Sequence, residues 1–462
     1  MSNNRVSRIP VAWCVVVTLL LGSAFQTVRW SYVDLANNLA AAGDHRSWQV
    51  AISDAFTKVA EYRPLIDLST RLVFRSVGID IGVYRGIVLL EFVLILVALI
   101  VVFRPVGSRQ GLAAMLALSV AVGLHTSQIL FLFVPLNAYA TSMLMVLAAA
   151  VLVITPRLAA YEAFLLPLTV VAMLWLEVGI LIVPLVVAAW LMKAPAVTWR
   201  GVVAAVAGLA VYLAARWGVG PGVDGVASTD TGFGFAMLTR EQIAAMFDGP
   251  PWPLWLYNVM ATLLTVLASE PRTGVFRFVD LLLHGHVPSW LWLQVLSSLV
   301  TTALVLVALP TIRARPHRER VVAVIGAVLA FGGSALGFLY TRDRIALPVG
   351  IGYAMLVYVA VNSLLDRQTS QRKTIVGSIL VGLLAVAWSI RTVERYTQLR
   401  DVAWDYHHEW YRPEAVAAGS ENPIVDRIRA SALKRRPADP SADPRWTYVL
   451  FERKFDPLRQ QP

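Results

Sequence analysis

Arg29-Trp30-Ser31-Tyr32-Val33-Asp34 opens, and Tyr62-Arg63-Pro64-Leu65 divides, a polar stretch that runs from Arg29 to Arg85 between two apolar runs. It carries Asp34, Asp44, Asp54, Glu61 and Asp67, too many acids to lie in hydrocarbon. The flanks decide what kind of chain this is. Ile9 to Val28 is almost continuously apolar and spans roughly 30 Å at about 1.5 Å per residue, the thickness of a bilayer core. Of 462 residues, 57% are hydrophobic and 15% charged; a soluble domain carries about a quarter charged. With a mean hydropathy of +0.64, this is the composition of an all-α polytopic membrane protein.

Runs of about 17 to 25 apolar residues read as spans. They fall near 10–28, 86–103, 111–128, 138–155, 163–176, 178–192, 201–217, 289–310, 321–340, 345–364 and 374–391, about eleven transmembrane helices in all. Arg5 and Arg8 before an apolar run resemble a signal peptide, but the length of that run fits a retained anchor. Trp252 to Ala268 is apolar too. It begins Pro250-Pro251-Trp252-Pro253, and its Trp and Tyr residues favour an interfacial or re-entrant helix on the outer side. A pair of spans over 252–288 is the alternative.

Charge sets the expected orientation. Arg5 and Arg8, Arg104 and Arg109, Arg157, Lys193 with Arg200, Arg313 to Arg320, and Asp366 to Lys373 alternate with less basic connections. The positive-inside rule sends these loops, and the N-terminus, to the cytoplasm. The first loop (29–85), the turn at Glu177, a second large loop (218–288), the Arg342–Arg344 turn and a tail over 392–462 are then extracytoplasmic. The cell membrane is the expected location. The net charge of +11 does not point to nucleic acid, because no soluble module with a basic face precedes the tail. In the first loop Trp48, Ile52, Ala55, Phe56 and Val59 recur at helical spacing, and a second amphipathic segment runs from Leu65 to Val77. Residues 218–236 read as a loop, and Trp446 to Phe455 as a short strand.

Several residues could carry chemistry. Asp34 lies just beyond the first span, beside aromatics, where a carboxylate can serve as general base. Asp44, in Gly43-Asp44-His45-Arg46, is its rival, or a cap for the Trp48 helix. Glu177 interrupts a long apolar stretch; an acid there needs a partner and marks a candidate site, unless it is a turn acid at the interface. Tyr340-Thr341-Arg342-Asp343-Arg344 puts two guanidinium groups on the outer side, suited to a phosphate or pyrophosphate, or to lipid headgroups. Arg216 at the outer end of the seventh span raises the same question. The single cysteine, Cys14, excludes an intramolecular disulfide and a thiolate metal site. His284-Gly-His286 and His407-His408 are weak as metal sites, so no cofactor is firmly predicted, and a divalent metal stays an open alternative without support in the sequence.

Four stretches together resemble the GT-C superfamily of multi-spanning glycosyltransferases, in particular the protein O-mannosyltransferases and their TPR-bearing relatives. They are Asp34 after the first span, Tyr62-Arg63-Pro64-Leu65 followed by Leu68-Ser69, Glu177 in Glu-x-Gly-x-x-x-x-Pro up to Pro184, and Arg342-Asp343-Arg344 up to Pro348. The chain departs from the pattern in two ways: Asp34 is not one of a pair of acids, and the tail has no TPR period. The resemblance implies a transmembrane domain over 1–391 that moves a sugar from a polyprenyl-phosphate carrier to an acceptor hydroxyl on a glycan, lipid or protein of the cell envelope. Inversion would follow from Asp34, or Asp44, acting as base. Arg63, Arg342 and Arg344 would hold the donor phosphate, and Tyr62, Glu177 and Arg216 would line the cavity. Two other readings stay open: a transporter or flippase for a lipid-linked glycan, and a non-catalytic assembly protein with the same fold.

Overall fold

The computed structural model describes residues 6–27, 47–57, 63–132, 138–219, 231–233, 236–247, 251–269, 276–339, 341, 343–366, 371–409 and 430. Most of 218–236, the chain beyond Glu409 except residue 430, and the strand expected at 446–455 lie outside them. α1 (Arg8–Phe25) leads to two helices of the first loop, α2 (Trp48–Thr57) and α3 (Pro64–Val77), and then to α4 (Ile81–Phe103) and α5 (Gly107–Gly123). A 3₁₀ turn (His125–Gln128) and α6 (Ile129–Leu132) break away from α5, and α7 (Ala138–Ile154) returns. Next come a 3₁₀ segment (Pro156–Phe164) with α8 (Leu165–Trp175), a 3₁₀ turn (Glu177–Leu181) with α9 (Ile182–Leu191), and α10 (Trp199–Val219). A small antiparallel hairpin pairs β1 (Thr231–Phe233) with β2 (Ala236–Leu238). α11 (Arg240–Phe247), α12 (Trp252–Leu267) and α13 (Arg277–Leu283) precede α14 (Ser289–Ile312) and α15 (His317–Leu336). A 3₁₀ turn (Asp343–Ala346), α16 (Leu347–Asp366) and α17 (Gln371–Glu409) complete the described chain.

Among the described residues, 8 helices are long and apolar enough to cross a membrane, or 9 if α5 and the segment to Phe131, bent from it by 67°, form one broken span. Each span expected from the sequence has an apolar helix at its place, but α7 and Glu177–Leu191 fall short of a full crossing by length. Val15, Val16 and Leu19 on α1, Leu90 and Leu94 on α4, and Leu380 and Leu383 on α17 face outward. An aliphatic outer surface of this extent needs lipid rather than water around it. At the centre stands α16, 89% of whose span is buried. It touches α15 backbone to backbone: a Cβ on Gly326 would stand 2.7 Å from the Gly352 carbonyl, and one on Gly352 would strike the Gly326 carbonyl. Small residues are what permit that approach.

Hydrogen bonds at the helix ends show which ends lie together. At one end Ser7 N donates to Pro105 O (2.9 Å), His317 Nε2 to Met192 O (2.7 Å) and the Tyr358 hydroxyl to Phe103 O (3.0 Å). Arg318 satisfies the last carbonyls of α4, at Val101, Val102 and Phe103. Arg315 lies 2.7 Å from both Glu319 and Asp366. Burial works against its charge, but the hydrogen bonds to Glu319 and Asp366 prevail and raise its pKa. Because successive long helices run antiparallel, Phe25, Gly123, Trp175 and the start of α16 fall at the opposite end. The first-loop helix α3 packs there against α8.

Two elements depart from a simple up-and-down bundle. The first half of α12 is tied by Asn258 Nδ2, which donates to Gly232 O and Phe338 O, both at 2.9 Å. Its inner end, Leu267 O, accepts from Thr302, and Ser269 bonds Ser298. Thr302 lies thirteen residues into α14, about 20 Å below its start. α12 therefore dips into the bundle from one end without crossing it. α17, for its part, runs 39 residues without a break, so the expected passage from span to tail near Arg391 lies inside a helix.

Candidate functional site

The Glu177 turn is shaped by its neighbours. α8 stops at Trp175, Leu176 is extended (φ −159°, ψ 148°), and the chain folds back on α8. Only glycine fits at 179, where a Cβ would stand 2.5 Å from the Ala172 carbonyl carbon. That fold-back presents Glu177 to two arginines from distant parts of the chain. Arg63 directly precedes Pro64, which starts α3 with its φ already suited to a first helical turn. Its Nε donates to Glu177 Oε2 at 3.1 Å across 114 residues of sequence. Arg216, near the end of α10, places Nη1 3.7 Å from Glu177 Oε1 and donates to the Tyr212 hydroxyl at 2.9 Å. Each of the three charged side chains is about a third exposed, at 32%, 38% and 37% for Arg63, Glu177 and Arg216. An ion pair so placed contributes at most about 1 kcal/mol, so its role is placement rather than stability.

The structure thus brings together Arg63, Glu177 and Arg216. Arg344 falls in the 3₁₀ turn Asp343–Ala346, which packs against the turn His125–Gln128. Asp34, Asp44, Tyr62 and Arg342 lie outside the described residues. The cap expected from Asp44 has a described counterpart in Ser47, whose hydroxyl accepts from Val50 N at 3.3 Å.

A second polar group occupies the same end, and sequence reasoning missed it. Gln294 Nε2 donates to both oxygens of Glu394, at 2.6 and 2.7 Å. Its Oε1 must then accept, from His125 Nε2 at 2.9 Å. That assigns the His125 proton to Nε2 and leaves Nδ1 to accept from Gln128 Nε2 and Arg395 Nη1, each at 3.3 Å. Arg395 pairs with Glu394 at 3.3 Å and also bonds Gln398. One turn earlier, Arg391 is fully buried. It donates to Gln294 O, Ser297, Ser298 and Ser269, and its guanidinium lies 3.8 Å from the Trp388 ring centroid. The signal was present as Arg391-Thr392-Val393-Glu394-Arg395, two arginines one helical turn apart with an acid between them. It was hidden because hydropathy ends the span at residue 391.

Chemically, this end of the bundle offers guanidinium groups fixed by carboxylate, amide and imidazole partners, close to the helix α12 that dips in from the same side. Such an array is chemically suited to bind an anionic oxygen and hold it in orientation. Among the described residues no group of three or more His, Cys, Asp or Glu side chains is placed to hold a metal ion.

The fold and its surface define the class: a helical protein whose apolar helices suit a multi-pass place in a lipid bilayer. Comparison goes no further, since no family model, no curated protein and no solved structure matches this chain.

Proposed function

We propose that this protein is an integral membrane glycosyltransferase of GT-C type. It takes a sugar from a polyprenyl-phosphate carrier and transfers it, with inversion, to an acceptor hydroxyl on the extracytoplasmic side of the cell membrane. The observation that carries the reading is the meeting of Arg63, Glu177 and Arg216, two residues from separate sequence motifs and an arginine at the end of a span, around one carboxylate. In this reading Glu177 anchors the two arginines. Arg63, with Arg342 and Arg344, stabilises the departing phosphate where its charge develops. Asp34 removes the proton of the acceptor hydroxyl as that oxygen attacks the anomeric carbon. The C–O bond to phosphate breaks, and polyprenyl phosphate leaves.

The test is to incubate the purified full-length protein with polyprenyl-phosphate sugars and candidate acceptors, and to follow donor consumption and product. Asp34→Asn is expected to lower turnover by roughly 10²–10⁴-fold while donor binding persists. Asp44→Asn should be mild; the reverse result would exchange their roles. Near-normal turnover in both variants would remove both acids from the chemistry.

A second reading, a transporter of a lipid-linked glycan, draws on the 67° break after α5 and on the dipping helix α12. Broken helices line substrate paths in transporters. In proteoliposomes a transporter would move the labelled lipid-linked glycan across the bilayer and leave its sugar–phosphate bond intact.

A further inference from the structure

At the basic end, opposite the candidate site, a cavity of about 450 Å³ opens between the end of α4, the end of α7 and the start of α15. Its floor is aliphatic: Ile100, Val101, Ile154 and Val321. Its rim carries Arg104, Arg157, His317 and Arg318, and among the described residues no acidic one lines it. Two of these cations have structural work. Arg318 is spent on the α4 carbonyls, and His317 on Met192 O. Arg104 and Arg157 are exposed, and neither has a carboxylate within ion-pair distance among the described residues.

The backbone at Arg104 adds an independent observation. It closes α4 in the left-handed region, φ 45° and ψ 57°, the position that glycine fills at least cost. An arginine held there bears backbone strain, and strain of this kind collects where a side chain is needed. The level is also informative. Arg104 follows directly on the end of α4 and Arg157 comes three residues after the end of α7, the depth at which phospholipid headgroups lie, and Val101 is exposed on the lipid side of the floor. Basic pockets between helices at that depth suit anionic headgroups.

We propose that this cavity binds the phosphate headgroup of an anionic membrane phospholipid, with Arg104 and Arg157 on the phosphate and the first acyl carbons on Ile100, Val101 and Val321. The cavity takes a headgroup and the start of a chain, and the remaining chain stays in the bilayer. The site is independent of the glycosyltransferase reading and survives its failure.

The experiment uses the full-length protein in detergent, with native mass spectrometry of bound phosphatidylglycerol against phosphatidylcholine, and with inorganic phosphate as a third probe. The wild type is expected to prefer phosphatidylglycerol, and Arg157→Ala to weaken its retention about tenfold, the loss of one good contact. Arg104→Gly is the sharper variant, because it deletes the guanidinium while relieving the backbone. It should bind phosphatidylglycerol less well and unfold at the same or a higher temperature. Arg109→Ala, at the same end but outside the cavity, is the control and should bind as wild type does. Unchanged phosphatidylglycerol binding in both Arg104→Gly and Arg157→Ala overturns the proposal, as does an equal loss in Arg109→Ala. Inorganic phosphate held as tightly as the lipid would make this a free-anion site and overturn the assignment to lipid.

Discussion

Arg391 shows how a charge is kept inside this bundle. Among the described residues no carboxylate forms an ion pair with it; four oxygen acceptors from the α12–α14 region bond it, and the Trp388 ring closes one face. Hydrogen bonds to charged groups contribute about 1.5–3 kcal/mol each and are not additive. Arg391→Ala is therefore expected to destabilise by about 3 kcal/mol. Arg391→Lys should recover little of that, since a point ammonium cannot reach Ser269 and Gln294 O together. Thermal unfolding in detergent reads both; a lysine variant as stable as the wild type would mean that charge, not the planar fork, holds the site. The contrast with Glu177 explains what a sequence discloses at this scale. Glu177 stands alone in an apolar stretch, so its need of a partner was legible, although not that the partners were Arg63 and Arg216. Arg391 stands at the margin of an apolar run, where an arginine is ordinary. Its burial depends on serines more than ninety residues away.

At the scale of the element, the long helices were legible because a membrane span is a property of composition, and composition is local. The dip of α12 was legible in part: its Pro, Trp and Tyr residues read as an interfacial or re-entrant helix, but nothing in them told how deep it goes. Trp252–Leu267 is apolar whether it lies on the surface, dips or crosses, and what sets its depth is the bonding of Leu267 to Thr302 and of Ser269 to Ser298. The contact of α15 with α16 is equally non-local. Gly326 and Gly352 meet through backbone atoms, which cannot swing aside as a side-chain tip does. Gly352→Ala is expected to cost about 1–3 kcal/mol, as overpacking does. Gly382 on α17 has no atom within 4 Å of the Cβ it lacks. Gly382→Ala should therefore be neutral, or stabilise by up to about 1 kcal/mol through helix propensity. Equal effects of the two substitutions on the unfolding temperature would refute the close-packed interface.

At the scale of the whole molecule, the two ends differ in what they hold. Arg104, Arg109, Arg157, Arg313 and Arg318 gather at one end together with the first residues of α1. The other end holds the first-loop helices, the Glu177 cluster and the Gln294–Glu394 network. Cations close to span ends are retained on the cytoplasmic side during insertion, and on that ground we propose that the bundle is oriented with the candidate site outside. The antiparallel run of the helices ties every loop to this assignment, and two positions are enough to test it. Ser47 precedes α2 at the site end and Ser108 lies in the first turn of α5 at the basic end; both are exposed. On a Cys14→Ala background, which removes the chain's one thiol, Ser47→Cys should react with a membrane-impermeant maleimide in intact cells. Ser108→Cys should react only after permeabilisation. The inverse pattern would place Arg63, Glu177 and Arg216 in the cytoplasm, where an extracytoplasmic acceptor could not reach them, and the transfer reaction would have to be abandoned along with the orientation.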